Sequence, residues 1–170
     1  MMVLYELQQK VYQNKISRGF NVQDVGKEII LLTEEVGELN EAYIKNDEME
    51  ILDAIADISV YCLGMCEMFN FNSNLILNFK VEKPKHVNVQ SLLPFVTMEI
   101  GNLAKLYKLS NKKNVTEIDK QNLFKECIGN VLGYCYWLFN YLDKNMITEI
   151  GNVIINNTSR EHSGHFSNTL

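Results

Sequence analysis

Proline is almost missing from this chain: there are two, Pro84 and Pro94, set close together. Because proline removes a backbone donor and breaks or kinks helices, the long stretches on either side are free to be helical. Also lacking is any apolar run near the ~20 residues that span a bilayer. Glu6 and Lys10 interrupt the N-terminal segment where a signal peptide would be apolar. The expectation is a cytoplasmic protein with no membrane partner. Positive charge is in deficit, with 16 Lys and Arg against 21 Asp and Glu and a net charge of -5. That excludes a non-specific nucleic-acid binder, which needs a basic surface. It does not exclude a small phosphate ligand, because a bound divalent ion reverses the local sign. The cysteines have no histidine at zinc-ligand spacing, and Cys62 and Cys66 lie one helical turn apart in an apolar stretch. They are expected to be reduced core thiols, packing as small hydrophobes.

What is present is helical periodicity. At 170 residues, 46% hydrophobic and 22% charged, the chain suits one globular domain or two small fused halves. Apolar residues at helical spacing predict helices over about 3–15, 24–44, 48–69, 91–109 and 118–142. Asp24 is placed to cap the second, its oxygen accepting an otherwise unpaired amide hydrogen. Pro94 is tolerated if it falls in the first turn of the fourth. The asparagine- and lysine-rich segment 71–88 predicts a linker, and 146–170 a C-terminal tail. The fold class expected is all-α, a four- to five-helix bundle.

The two sides of the linker are alike. EVGELNEAY (35–43) resembles EIGNLAKLY (99–107), and ADISVYC (56–62) resembles GNVLGYC (129–135). This suggests a helical half, 1–70, followed by a second hairpin, 89–145, packed in the same domain. Chance similarity between two amphipathic hairpins is the competing explanation.

Acids interrupt the apolar stripes. Leu31, Glu35, Glu38 and Ala42 follow the spacing i, i+4, i+7, i+11, a core-facing stripe with two carboxylates in its middle. In ILDAIADISVYCLGMC (51–66) the only charges are Asp53 and Asp57, one turn apart, and Glu50 shares their face. The segment predicts a helix buried nearly all round. An ionised carboxylate in an apolar interior must be protonated, paired with a base, or bound to a cation. Lys27 and Lys45 lie towards the helix ends, so a cation is the expected remedy, and hard oxygen donors suit Mg²⁺ or Mn²⁺. For Glu34 and Glu41, a solvated face is the competing explanation.

Glu34, Glu35 and Glu38, then Glu50 and Asp53, match the pattern EExxE…ExxD. The pattern resembles that of the all-α nucleoside triphosphate pyrophosphohydrolases, which include MazG-like enzymes, dimeric dUTPases and phosphoribosyl-ATP pyrophosphohydrolases. Arg18-Gly-Phe20 resembles the short motif that precedes the family's first acidic helix, and residues 53–61 resemble its second. The resemblance covers about 5–67 well and 90–142 weakly. It implies a MazG-like bundle, a homodimer or higher homo-oligomer, and a nucleoside or deoxynucleoside triphosphate split into monophosphate and pyrophosphate. It also implies Mg²⁺, or Mn²⁺, held by Glu35, Glu38, Glu50, Asp53 and Asp57, with Glu34 or Glu35 acting as base or positioning water. The chain carries both ExxD and DxxxD spacings, as Glu50/Asp53 and Asp53/Asp57, so the terminal aspartate is ambiguous. In the second half Glu34, Glu38 and Asp57 correspond to Met98, Asn102 and Asn130, which implies one active site per chain.

Phosphates also need fixed positive charge, and the candidates are Lys15, Arg18, Lys105 and Arg160, with Lys108 and His162 beside them. For each alone, a solvated surface role competes. The functional alternatives are a non-catalytic helical module keeping a remnant metal site, and a phosphohydrolase acting on phosphoribosyl-ATP.

Overall fold

The computed structural model describes residues 3–110 and 116–159. Among them are seven helices and no strand: α1 (Leu4–Ser17), α2 (Val25–Lys45), α3 (Glu48–Met68), α4 (Ser73–Ile76), α5 (Val89–Ser110), α6 (Glu117–Tyr141) and α7 (Met146–Ser159). The protein is an all-α bundle. No helix among the described residues is long and apolar enough to cross a membrane.

Local chemistry sets the helix ends. Asp24 caps α2 by accepting from the Lys27 amide at 3.1 Å. Asn46 ends α2 in the left-handed conformation, φ 54°, and Asp47 immediately caps α3 through the Met49 and Glu50 amides. The α2–α3 hairpin is therefore tight, which lays the two acidic helices side by side.

Helices α2, α3, α6 and α5 form a closed ring, each packing on the next. Helix α1 lies on α3 and α7, and α7 packs on α3 as well. The core between them is aliphatic, with Leu32, Leu39, Ile55, Ile58, Leu103 and Leu132 at its centre. All four cysteines are free and buried, as expected.

The two hairpins of the ring touch reciprocally. Tyr43 on α2 donates its hydroxyl to Gln90 on α5 at 3.1 Å. Tyr107 on α5 presses its ring end on Gly26 of α2, where a Cβ would come within 2.6 Å of it. Gly26 and Gln90 are the same 64 positions apart as Tyr43 and Tyr107. The matched cysteines Cys62 and Cys135 are neighbours in the core, both thiols held above their ordinary range chiefly by burial. Residue i meeting j while j's counterpart meets i's is the contact pattern of a two-fold pair.

Three expectations are corrected. The stretch 71–88 is not all linker, since Asn72 caps the single turn of α4. Residues 146–159 are not a tail: Met146, Ile150 and Val153, at i, i+4 and i+7, bury one face of α7. Pro94 falls in the second turn of α5, because the helix starts at Val89.

Candidate metal centre

The central carboxylate of the site is the half-buried Glu35. One of its oxygens is out of contact with solvent and has no hydrogen-bond partner among the described residues. Its carboxyl is pushed up from 4.5 to about 8, first by burial, then by the charges of Asp57, Glu38, Glu34 and Asp53. The hairpin thus gathers four acids around a fifth. None of Glu34, Glu35, Glu38, Glu50 and Asp53 forms an ion pair among the described residues.

The expected burial of the α3 aspartates needs correction. Asp53 is exposed and Asp57 half-buried. Helix α3 packs on α1, α2, α6 and α7, which covers most of its circumference but leaves one stripe open, and residues 50, 53 and 57 occupy it. Glu50 is exposed and does not act on Glu35; its charge is felt by Lys45 instead, with Glu41 and Asp47. As the side chains stand, no three acidic, histidine or cysteine residues among those described converge closely enough to hold an ion. The donor chemistry nonetheless fits one. All five groups are hard oxygens, one buried oxygen lacks a donor, and Glu34, Glu38 and Asp53 are exposed and free to turn inward.

The second hairpin supplies an internal comparison. Glu99, matched to Glu35, is buried, and it accepts from Asn130 Nδ2 at 3.0 Å and from Asn102 Nδ2 at 3.3 Å. The Cys127 thiol also hydrogen-bonds to it. Asn78 then donates to Asn130 Oδ1 at 2.8 Å, so the linker closes over this site. The positions that carry Glu38 and Asp57 in the first hairpin carry amide donors here, and they satisfy the carboxylate.

A cavity opens beside Asp57, between α1, the α1–α2 turn, α2, α3 and α7. Into its wall the fold sets a buried ion pair, Lys15 with Glu28, 5% and 0% exposed. Asn21 donates to the other Glu28 oxygen at 2.8 Å, and the Lys15 ammonium stands 5.0 Å from the Tyr61 ring centre. Burial lowers the Lys15 pKa, against the attraction of Glu28. Lys15 is therefore no free phosphate ligand, as the sequence suggested, but half of a sealed pair. Glu28 was overlooked there, although it lies seven residues before Glu35 on the same helical stripe. Of the other candidate cations, Arg18 stays by the cavity, stacked on Phe20 at 5.5 Å. Lys105 is exposed on α5 and forms no ion pair among the described residues. Arg160 and His162 lie outside the described residues.

Set against protein-family models, curated protein sequences and solved structures, the chain matches none.

Proposed function

We propose that the protein is a divalent-cation-dependent hydrolase of nucleoside triphosphates, releasing a monophosphate and pyrophosphate. The observation that carries this is Glu35: a buried, donorless carboxylate oxygen ringed by acids, where the matched Glu99 is ringed by amides. Glu35, Glu38, Asp53 and Asp57 would hold Mg²⁺ or Mn²⁺. When bound, such an ion neutralises phosphate charge and lowers the pKa of a coordinated water. Glu34, exposed one residue from Glu35, takes the proton of the attacking water or orients it. Arg18 contributes fixed positive charge at the cavity. The satisfied, covered Glu99 site leaves one active centre per chain, with the second hairpin standing where a partner subunit would.

A panel of nucleoside triphosphates assayed for pyrophosphate with Mg²⁺ or Mn²⁺ tests the proposal. Release should depend on metal and be lost in Glu38→Gln and Asp53→Asn while far-UV circular dichroism is unchanged. No release from any nucleotide, or full activity in both variants, overturns it. The exposure of Glu38 and Asp53 favours one rival, a helical module whose acids bind a cation for stability alone. It predicts stabilisation by Mg²⁺ with no hydrolysis.

A further inference from the structure

We propose that the cleft at the starts of α1 and α7 is a second ligand site, one that takes a small aromatic carboxylate. It is independent of the chemistry at Glu35. The cavity beside Asp57 is lined by Val11, Lys15 and Ile154, near the far ends of the same two helices.

Size admits such a ligand. The cleft measures about 560 Å³. That lies within the ~300–1,000 Å³ usual for small-molecule sites and well above the ~150 Å³ in which a protein holds one benzene. Its floor is apolar, formed by Leu4, Leu77, Phe139 and Met146. One wall is an aromatic corner: Phe79 and Tyr136 meet edge-on, ring centres 4.9 Å apart at 83°. Phe79 is left 52% exposed. A flat ring laid in the corner covers it and gains the stacked or edge-on contact that aromatic pairs prefer.

Charge fixes the class. Among the described residues Lys144 is the one charged side chain lining the cleft, and it forms no ion pair. The backbone adds to it. Helices α1 and α7 run parallel: Leu4 and Met146 share the cleft, and Asn14 donates to Thr158 at 2.9 Å towards the other end. Two positive helix ends therefore lie side by side here, and an anion is attracted to both. Carboxylate fits better than phosphate. Phosphate groups are gripped by several cations or a forked arginine, whereas this lining offers one ammonium and no arginine. Asn140, exposed at the same rim, adds a neutral donor.

The probes are phenylpropionate, its uncharged amide and octanoate, titrated into the full chain and followed by NMR. The reporter is the indole N–H of Trp137, the one tryptophan of the chain, which donates to the Phe79 carbonyl at 3.3 Å and so senses a ligand against Phe79. Phenylpropionate should shift that signal saturably at millimolar concentration. Lys144→Gln should weaken the acid about threefold, the scale of an exposed ion pair, and leave the amide unchanged. In wild type the acid, favoured by the helix ends as well, should bind about fivefold or more tightly than the amide. Lys125→Gln, also exposed on α6, should change neither. Ile147→Phe, which fills the cleft from a half-buried position, should weaken acid and amide alike, with thermal unfolding confirming that each variant stays folded. No saturable shift, equal binding of acid and amide, or an acid indifferent to Lys144→Gln overturns the site. Octanoate binding more tightly than phenylpropionate overturns the aromatic assignment.

Discussion

Glutamine at position 35 should make the metal-free protein more stable at alkaline pH and blind to magnesium. The Glu35 carboxyl titrates at about 8 in the folded chain rather than at its ordinary 4.5. At about 1.4 kcal/mol per pH unit, the rise sets a ceiling of about 5 kcal/mol on the penalty for ionising Glu35 in the fold. The side chain is partly open to solvent, which screens the neighbouring acids, and about 2 kcal/mol is the realistic share. Its sign follows from linkage. The folded chain binds this proton more tightly than the unfolded one, so the stabilisation is complete below pH 4.5 and drains away as pH rises through 8. Glutamine, neutral throughout, loses nothing over that window. In EDTA, Glu35→Gln should therefore gain on wild type between pH 5 and 9 by about 2 kcal/mol, or roughly 4–8 °C in Tm for a chain of this size. Any packing change made by the substitution is independent of pH and cancels in the comparison. Mg²⁺ at a hundred times its Kd should add about 2.7 kcal/mol to wild type and nothing to the variant. Thermal unfolding of both proteins across that pH range, with and without Mg²⁺, is the assay. Parallel pH curves, or equal stabilisation of both by Mg²⁺, would refute the electrostatics assigned to Glu35.

Two other perturbations probe the frame around the site. Lys15→Met leaves Glu28 buried without its cation and should cost about 3–5 kcal/mol, while the double change Lys15→Met/Glu28→Leu should return close to wild type; urea midpoints that do not differ between them would dissolve the pair. Gly133→Ala drives a Cβ to 2.1 Å from the Asn78 carbonyl oxygen and should cost about 2 kcal/mol or more. Gly151→Ala, with nothing within 4 Å, should instead stabilise α7 by up to about 1 kcal/mol, and denaturation midpoints compare the two.

The long helices were legible because their apolar residues repeat at the helical period and their caps are local: Asp24 needs only the amide three residues on. Helix α7 was not, because Thr148, Asn152 and the asparagines after Ile155 dilute its stripe. What secures Met146, Ile150 and Val153 is contact with α3 and α1, more than 75 residues upstream. Burial of individual acids was the weakest inference. Asp53 sits in an apolar context, yet context says only that most of α3 is covered, not which stripe is left open. The Lys15–Glu28 pair closes across a turn between two helices, and no period of either helix announces it.

The grouping of acids was legible; that Glu35 lacks the donors its counterpart has became visible only by comparing the two hairpins. At matched positions the fold holds two carboxylates, Glu99 given donors by Asn102 and Asn130, and Glu35 given none by Glu38 and Asp57. The same frame is thus able to satisfy an inward carboxylate from these two positions without any ion. An acid at both positions instead leaves Glu35 with two ways to settle its charge, a proton below about pH 8 or a cation at any pH where the acids are ionised. The double substitution Glu38→Asn/Asp57→Asn should convert the first site into a likeness of the second. With Glu35 then hydrogen-bonded, the metal-free chain should lose the alkaline decline in stability and any response to Mg²⁺, measured in the same unfolding experiments. If the variant still melts higher with Mg²⁺ by as much as wild type does, the ion binds elsewhere, and the acids around Glu35 do not form its site.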